Sequence, residues 1–194
     1  MIKFIISTIL LMAVSLSLHA DVLTDIQADM THRVDRVVEV LNSDILTKKE
    51  KNAELEIAGK GLFDYTLMAR LSIGKKEWKK LSLAQKKEFA TIFETNMKNS
   101  YIEKSYLLGD DKVTVHEAIQ AKKTRIQLSV SVVGKKETTK LTYKYYSKKG
   151  KWLVYDVDIA GVSILQTYRA QFAEILGSDS MEILVQKLKD SQSS

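Results

Sequence analysis

The carboxylates Asp156 and Asp158 are the first candidates for chemistry, because they lie two positions apart in a β-favouring run that ends at Gly161. Residues two apart on a strand share one face of the sheet, and paired carboxylates can perform general acid–base work. No histidine or cysteine stands near them in the sequence to complete a catalytic set. A strand face turned towards water therefore explains the pair better than catalysis does.

Ser163 follows the same strand and precedes an amphipathic segment, which is the setting of a hydrolase nucleophile. The Gly-x-Ser-x-Gly elbow is incomplete, however, because position 165 is Leu. Serine is also favoured at helix starts, where its hydroxyl accepts a hydrogen bond from a free backbone N–H. The sequence therefore favours a helix-capping role for Ser163.

Asp64 and Arg70 lie six positions apart and flank a short predicted helix. They could form an ion pair at the mouth of a ligand site, or an exposed pair at the helix ends worth less than about 1 kcal/mol. The spacing alone favours the exposed pair. Further along, Arg169 next to Tyr168 is equally compatible with a phosphate contact and with a solvated or sheet-packed arginine.

The composition excludes several classes of catalytic and metal-binding site. The 194 residues include no cysteine, so disulfides, thiolate nucleophiles and cysteine metal sites are all excluded. Beyond residue 20 the histidines are His32 and His116, far apart in the sequence. We therefore expect a protein that is not an enzyme and needs no metal and no cofactor. The moderate net charge of +6 favours an anionic lipid or acidic partner over nucleic acid.

The N-terminus has the layout of a secretory signal peptide, with Lys3, an apolar stretch from Phe4 to Leu18, and Ala20 before Asp21. The stretch is shorter than the roughly 20 residues that a spanning helix needs. We therefore predict export to the periplasm with cleavage after Ala20. Residues 21–194 are long enough for one domain with a sizeable core.

Helices are predicted both before and after the strands in the order of the chain. Val22 to Leu46 carries an apolar stripe that ends at Ile45, and Thr47 and Ser82 each begin a capping box. Phe63 to Leu71 is a further short predicted helix, closed by Gly74. After Ser82, four large side chains recur every four residues: Phe89, Phe93, Met97 and Tyr101. This row could be part of the ordinary core or the wall of a ligand cavity.

Four segments then alternate with a period of two: 112–118, 124–133, 138–147 and 151–159. Short turns between such segments indicate an antiparallel meander. Helices follow again, the last of them capped by Asp179 with Glu182. The predicted fold class is α+β, a curved antiparallel sheet of about four strands packed by several helices.

Three segments carry a family resemblance: Phe63 to Arg70 with Gly74 and Trp78, the helix from Ser82 through Tyr101, and Gly150 to Phe172. Their order and spacing resemble the MlaC (toluene-tolerance, auxiliary transport) family of periplasmic phospholipid-binding proteins. The resemblance implies a cone-like domain with an internal apolar pocket. It also implies a carrier that exchanges glycerophospholipid between an outer-membrane lipoprotein complex and an inner-membrane ABC transporter with an MCE-domain subunit, maintaining outer-membrane lipid asymmetry. Ala160 departs from the family, in which an acidic residue is common there.

Face periodicity then selects the residues expected to contact lipid tails. They are Phe63, Leu67, Leu71, Phe89, Phe93, Met97, Leu128, Val130, Leu141, Tyr143, Val162 and Leu165. Arg70 is the candidate for the head group, and the phospholipid is a ligand of an expected monomer. Two alternatives remain: a small periplasmic hydrolase or isomerase on a cone-like fold, and a lipid-free module that binds envelope proteins.

Overall fold

The computed structural model describes residues 2–106, 112–134 and 137–191, with side chains from residue 21 onward. Within these ranges the chain forms six helices and five strands. They are α1 (Ile2–Leu41), α2 (Lys48–Gly59), α3 (Tyr65–Lys80), α4 (Leu83–Ser105), β1 (Lys112–Lys122), β2 (Arg125–Val133), β3 (Thr138–Lys148), β4 (Lys151–Ile159), β5 (Val162–Ser163), α5 (Ile164–Ser178) and α6 (Met181–Asp190).

Both predicted capping boxes are confirmed. At the start of α2, Thr47 Oγ1 accepts from the Glu50 N–H at 3.3 Å, and the Glu50 carboxylate accepts from the Thr47 N–H at 2.8 Å. Ser82 and Gln85 make the same reciprocal pair at the start of α4, at 3.2 and 2.9 Å. Each box satisfies two backbone donors that the helix itself leaves unpaired, which is why a local pattern located these helix starts.

Three helix boundaries differ from the sequence prediction. α1 ends at Leu41 and Ile45 is 93% exposed, because the chain turns at Ser43, whose hydroxyl accepts from the Leu46 N–H. α3 does not stop at Gly74 but kinks there, at a φ of 79° that suits glycine, and continues to Lys80. Ser180, and not Asp179, occupies the position before α6.

The strands form one antiparallel sheet in the order β1-β2-β3-β4-β5. The two-residue β5 extends the predicted meander by a fifth strand, and the α+β fold class is confirmed. Register shifts interrupt the β1–β2 pairing after Val115 and the β3–β4 pairing between Lys144 and Tyr145. Such bulges bend a sheet.

The buried side chains fall into three separate groups. The sheet cluster joins Ile26 and Met30 of α1 to the inner face of β2, β3 and β4. The helical cluster packs α3, α4, α5 and α6 around Phe89 and Phe93. The third cluster joins the end of α1 to α2 through Val40 and Leu55. The space where these three groups meet is the location of the candidate site.

None of the helices, as far as the described residues extend, combines the length and apolar character that crossing a membrane requires.

Candidate functional site

A cavity of about 400 Å³ lies between the sheet and helices α3, α4 and α5. Its inner walls are mainly apolar and aromatic, and its rim is polar. The lining residues are Phe63, Tyr65, Met97, Ser100, Tyr101, Lys104, Leu141, Tyr143, Val157, Ile159, Val162, Ile164, Thr167, Tyr168 and Gln171. This volume lies within the range of small-molecule sites, roughly 300–1,000 Å³.

The cavity exists because each core cluster contributes a wall and none fills the centre. Met97 belongs to the helical cluster, Val157 to the sheet cluster, and Tyr101 packs against the third cluster. Elsewhere the interior is closed by side chains that are fully buried, such as Phe89 and Leu128. The apolar space is therefore a property of the junction and not of any single element.

Three tyrosines in the wall, Tyr65, Tyr101 and Tyr143, remain uncharged over the physiological pH range. Burial raises the pKa of Tyr143 far above its usual value, and it raises the pKa of Tyr65 to about 12. Burial also raises the pKa of Tyr101. Neutral hydroxyls on aromatic rings leave the interior compatible with hydrocarbon.

The rim carries the polar groups of the cavity: Ser100 and Lys104 on α4, and Thr167 and Gln171 on α5. Lys104 is the one charged residue in this lining, as far as the described residues show. An apolar interior with a polar, cationic opening suits a ligand with a hydrocarbon part and an anionic end.

Five of the twelve residues predicted to contact lipid tails line the cavity: Phe63, Met97, Leu141, Tyr143 and Val162. Val162 is 62% exposed and lies at the rim. The other seven lie outside this lining. Phe89, Phe93 and Leu165 are buried in the helical cluster, Leu128 and Val130 are buried in the sheet cluster, and Leu67 and Leu71 are half-buried on α3. A lipid contact at any of the twelve positions stays a prediction.

Arg70, the predicted head-group residue, is exposed on α3 and is not part of the cavity lining. The structure instead places Lys104 at the opening. Met97, Ser100, Tyr101 and Lys104 recur at three- and four-residue steps, so they share one face of α4. That helical spacing is the sequence signal from which Ser100 and Lys104 could have been identified as cavity residues. Following every fourth residue from Phe89 finds Met97 and Tyr101 but misses Ser100 and Lys104.

The predicted pairing of Asp64 with Arg70 is wrong. Asp64 is buried beside β4, where its N–H donates to the Val154 carbonyl at 3.0 Å. Its carboxylate accepts from the Leu67 N–H at 3.0 Å, from Lys148 Nζ at 2.5 Å, and from the Tyr146 hydroxyl. Burial alone would raise the pKa of Asp64, but these hydrogen bonds outweigh burial and hold the pKa below its usual value. Asp64 therefore fastens the start of α3 to the sheet.

The prediction that Asp156 and Asp158 both face water is wrong for Asp156, which is 6% exposed. Lys144 Nζ lies 3.0 Å from Asp156 and 2.6 Å from Asp158. Burial alone would lower the pKa of Lys144, but the two carboxylates outweigh it and raise that pKa. Asp156 also accepts from the Leu165 N–H at 3.2 Å. These contacts give Asp156 a structural role at the start of α5.

Ser163 caps α5, as its sequence context predicts. Its hydroxyl accepts from the Gln166 N–H at 3.1 Å and donates to Asp156 at 2.8 Å. Both hydrogen bonds hold the strand-to-helix turn beside the cavity rim. Ser163 and Asp156 are thus parts of the support for α5, which carries one wall of the cavity.

A family model described as "MlaC protein" matches residues 31–190 of the chain. The chain belongs to the MlaC family. Among solved structures, the chain is similar to a phospholipid-binding protein from Ralstonia solanacearum in complex with a phospholipid, at 20% sequence identity and a TM-score of 0.71. The alignment covers 86% of this chain and 96% of that one, which shows a shared fold. A comparison with curated proteins finds no match.

Proposed function

We propose that this MlaC-family protein carries a glycerophospholipid, with part of the acyl region in the apolar cavity and the head group at the rim. The observation that carries the proposal is the cavity itself, about 400 Å³ of apolar space at the junction of the three core clusters. The bound phospholipid in the structurally similar Ralstonia solanacearum protein supports the same ligand class.

The cavity volume is large enough to make lipid binding favourable. At about 30 Å³ per water-sized group it accommodates roughly 13 methylene-sized groups. Each methylene that leaves water contributes about 0.8 kcal/mol, so filling the cavity is worth on the order of 10 kcal/mol relative to water. For the methylenes that enter the cavity, transfer from a membrane exchanges one apolar environment for another, so their contribution to the net free energy is small. Reversible loading and unloading require such a near balance.

The cellular role that we propose follows from the family and from the N-terminal pattern. Residues 1–20 direct export and are removed, and residues 21–194 act as one domain in the periplasm. The carrier exchanges lipid between an outer-membrane lipoprotein complex and an inner-membrane ABC transporter with an MCE-domain subunit. This exchange would maintain outer-membrane lipid asymmetry. The Lys3 and Phe4 to Leu18 pattern before Ala20 supports export.

Organic extraction and mass spectrometry of the protein purified from a bacterial periplasm test the lipid. We expect co-purified glycerophospholipid, and N-terminal sequencing that begins at Asp21. Delipidated protein should also take up phospholipid from vesicles and release it to lipid-free acceptor vesicles. A protein that is lipid-free after purification and takes up no lipid from vesicles would refute the carrier role.

A further inference from the structure

A second groove adjoins the cavity on the other side of the gap between α4 and α5. It encloses about 500 Å³ and shares three lining residues with the cavity: Ser100, Tyr168 and Gln171. The two spaces are therefore neighbours across a partition of three side chains. A ligand that leaves the cavity at its polar rim meets this groove next.

The groove differs from the cavity in its chemistry. Its floor is apolar, formed by Phe172, Leu184 and Leu188 of the helical cluster. Its walls are polar and include Asn99 and Glu103 of α4. A mixed surface of this kind suits a small charged group on a short linker better than a second acyl tail.

The groove is held open by contacts between α4 and the end of α6. The Asn96 amide donates to the Leu188 carbonyl at 3.1 Å, and Ser191 Oγ donates to Asn96 Oδ1 at 2.8 Å. Asn96 also donates to Ile92, so its hydrogen-bonding groups are occupied by the protein. The groove thus has a fixed wall on the side where α4 meets the end of α6.

Three charged side chains line the two spaces. Lys104 lies at the cavity rim, whereas Glu103 and Lys187 line the groove. Within residues 21–106, 112–134 and 137–191, none of the three forms an ion pair with an opposite charge. The other groove and rim residues are uncharged.

The order of these charges matches the order of groups along one class of lipid. From the tails outward, a zwitterionic phospholipid presents its glycerol, then an anionic phosphodiester, then an ammonium. From the cavity outward, the protein presents apolar walls, then the cation Lys104 at the rim, then the carboxylate of Glu103 in the groove. Glu103 and Lys104 are consecutive on α4, so the two charges lie close together but face different spaces.

We infer that the α4–α5–α6 groove is a head-group site for phospholipids that carry both a phosphodiester and an ammonium, with Lys104 beside the phosphodiester and Glu103 pairing with the ammonium. This inference rests on the proposed function, since it assumes that the tails occupy the cavity. It assigns Glu103 the selection among head groups and Lys104 a contribution common to all phospholipids.

The test is lipid uptake by delipidated protein from vesicles of equal parts phosphatidylethanolamine and phosphatidylglycerol, quantified by mass spectrometry. Exposed ion pairs contribute up to about 1 kcal/mol, or roughly a fivefold change in affinity. Glu103→Gln should therefore lower the phosphatidylethanolamine to phosphatidylglycerol ratio by about two- to fivefold. Lys104→Gln should lower the uptake of both lipids by a similar factor.

Matched controls are Glu117→Gln and Lys122→Gln, which remove the same charges from exposed positions on β1. Both should leave the amount and ratio of bound lipid unchanged. If the wild type takes up no lipid, the carrier function fails, and the head-group site fails with it. If the wild type takes up lipid and Glu103→Gln leaves the ratio unchanged, the head-group site alone is overturned.

Discussion

A phenylalanine placed on the cavity floor should block lipid uptake without unfolding the protein. Val157 lines the cavity and lies on β4, where an aromatic side chain is well tolerated. Val157→Phe adds about four carbon atoms, which displace about four methylenes of the ligand at roughly 0.8 kcal/mol each. The loss of about 3 kcal/mol corresponds to roughly 200-fold weaker lipid binding.

The same substitution at Val130 provides the matched control. Val130 is 2% exposed on β2, lies in the sheet cluster, and is not part of the cavity lining. Extra volume in a packed core costs about 1–3 kcal/mol of stability. Val130→Phe should therefore lower the melting temperature, and its folded fraction should still bind lipid. Val157→Phe should keep the wild-type melting temperature and lose lipid binding, because the cavity receives the added ring.

The assay combines thermal denaturation of the lipid-free proteins with vesicle uptake measured by mass spectrometry. A folded Val157→Phe variant that binds wild-type amounts of lipid would refute the position of the ligand in this cavity. A folded Val130→Phe variant that binds no lipid would show that the ligand also reaches β2. That second result would support the sequence-based assignment of Val130 to the lipid site.

Three further substitutions test the supports of the cavity. Asp64→Asn should lower the free energy of unfolding by about 1.5–3 kcal/mol, since it removes charge-assisted hydrogen bonds. The pKa of folded Asp64 lies below its ordinary value of 3.8. The stability that Asp64 contributes should therefore be fully retained above that pH and be lost as the pH falls below it. The Asp64→Asn variant should lose part of this acid dependence. Ser163→Ala should cost about 1 kcal/mol through loss of the α5 cap and leave vesicle uptake within about twofold. Gly74→Ala should cost about 1–3 kcal/mol, because φ is 79° there, a backbone conformation that alanine rarely adopts.

Denaturant unfolding at several pH values measures the effect of Asp64→Asn. Denaturant unfolding at neutral pH, together with lipid uptake, measures the effects of Ser163→Ala and Gly74→Ala. Equal acid dependence of the wild type and Asp64→Asn would show that the Asp64 contacts do not contribute as described. Abolished lipid turnover in a folded Ser163→Ala variant would instead support the hydrolase alternative. A Gly74→Ala variant as stable as the wild type would contradict the strain at the α3 kink.

Local patterns determined much of the fold from sequence alone. The capping boxes at Thr47 and Ser82 and the alternation of the strands depend on residues within a few positions of one another. The physical cause is short-range as well, since caps satisfy the free N–H groups of one turn and strand alternation follows the pleat. The order and spacing of three segments also predicted the family, and the match over residues 31–190 shows it.

The tertiary structure decided everything that depends on separate segments meeting. Asp64 pairs with Lys148, 84 positions away, which no helical spacing predicts. The cavity lies where three core clusters fail to merge, so hydrophobic periodicity selected Phe89 and Leu128 as readily as Met97 and Leu141. Periodicity reports which face of an element is buried. Whether that face meets another side chain or an empty space depends on how the elements are placed, and at Lys104 that placement also put a charge at the opening.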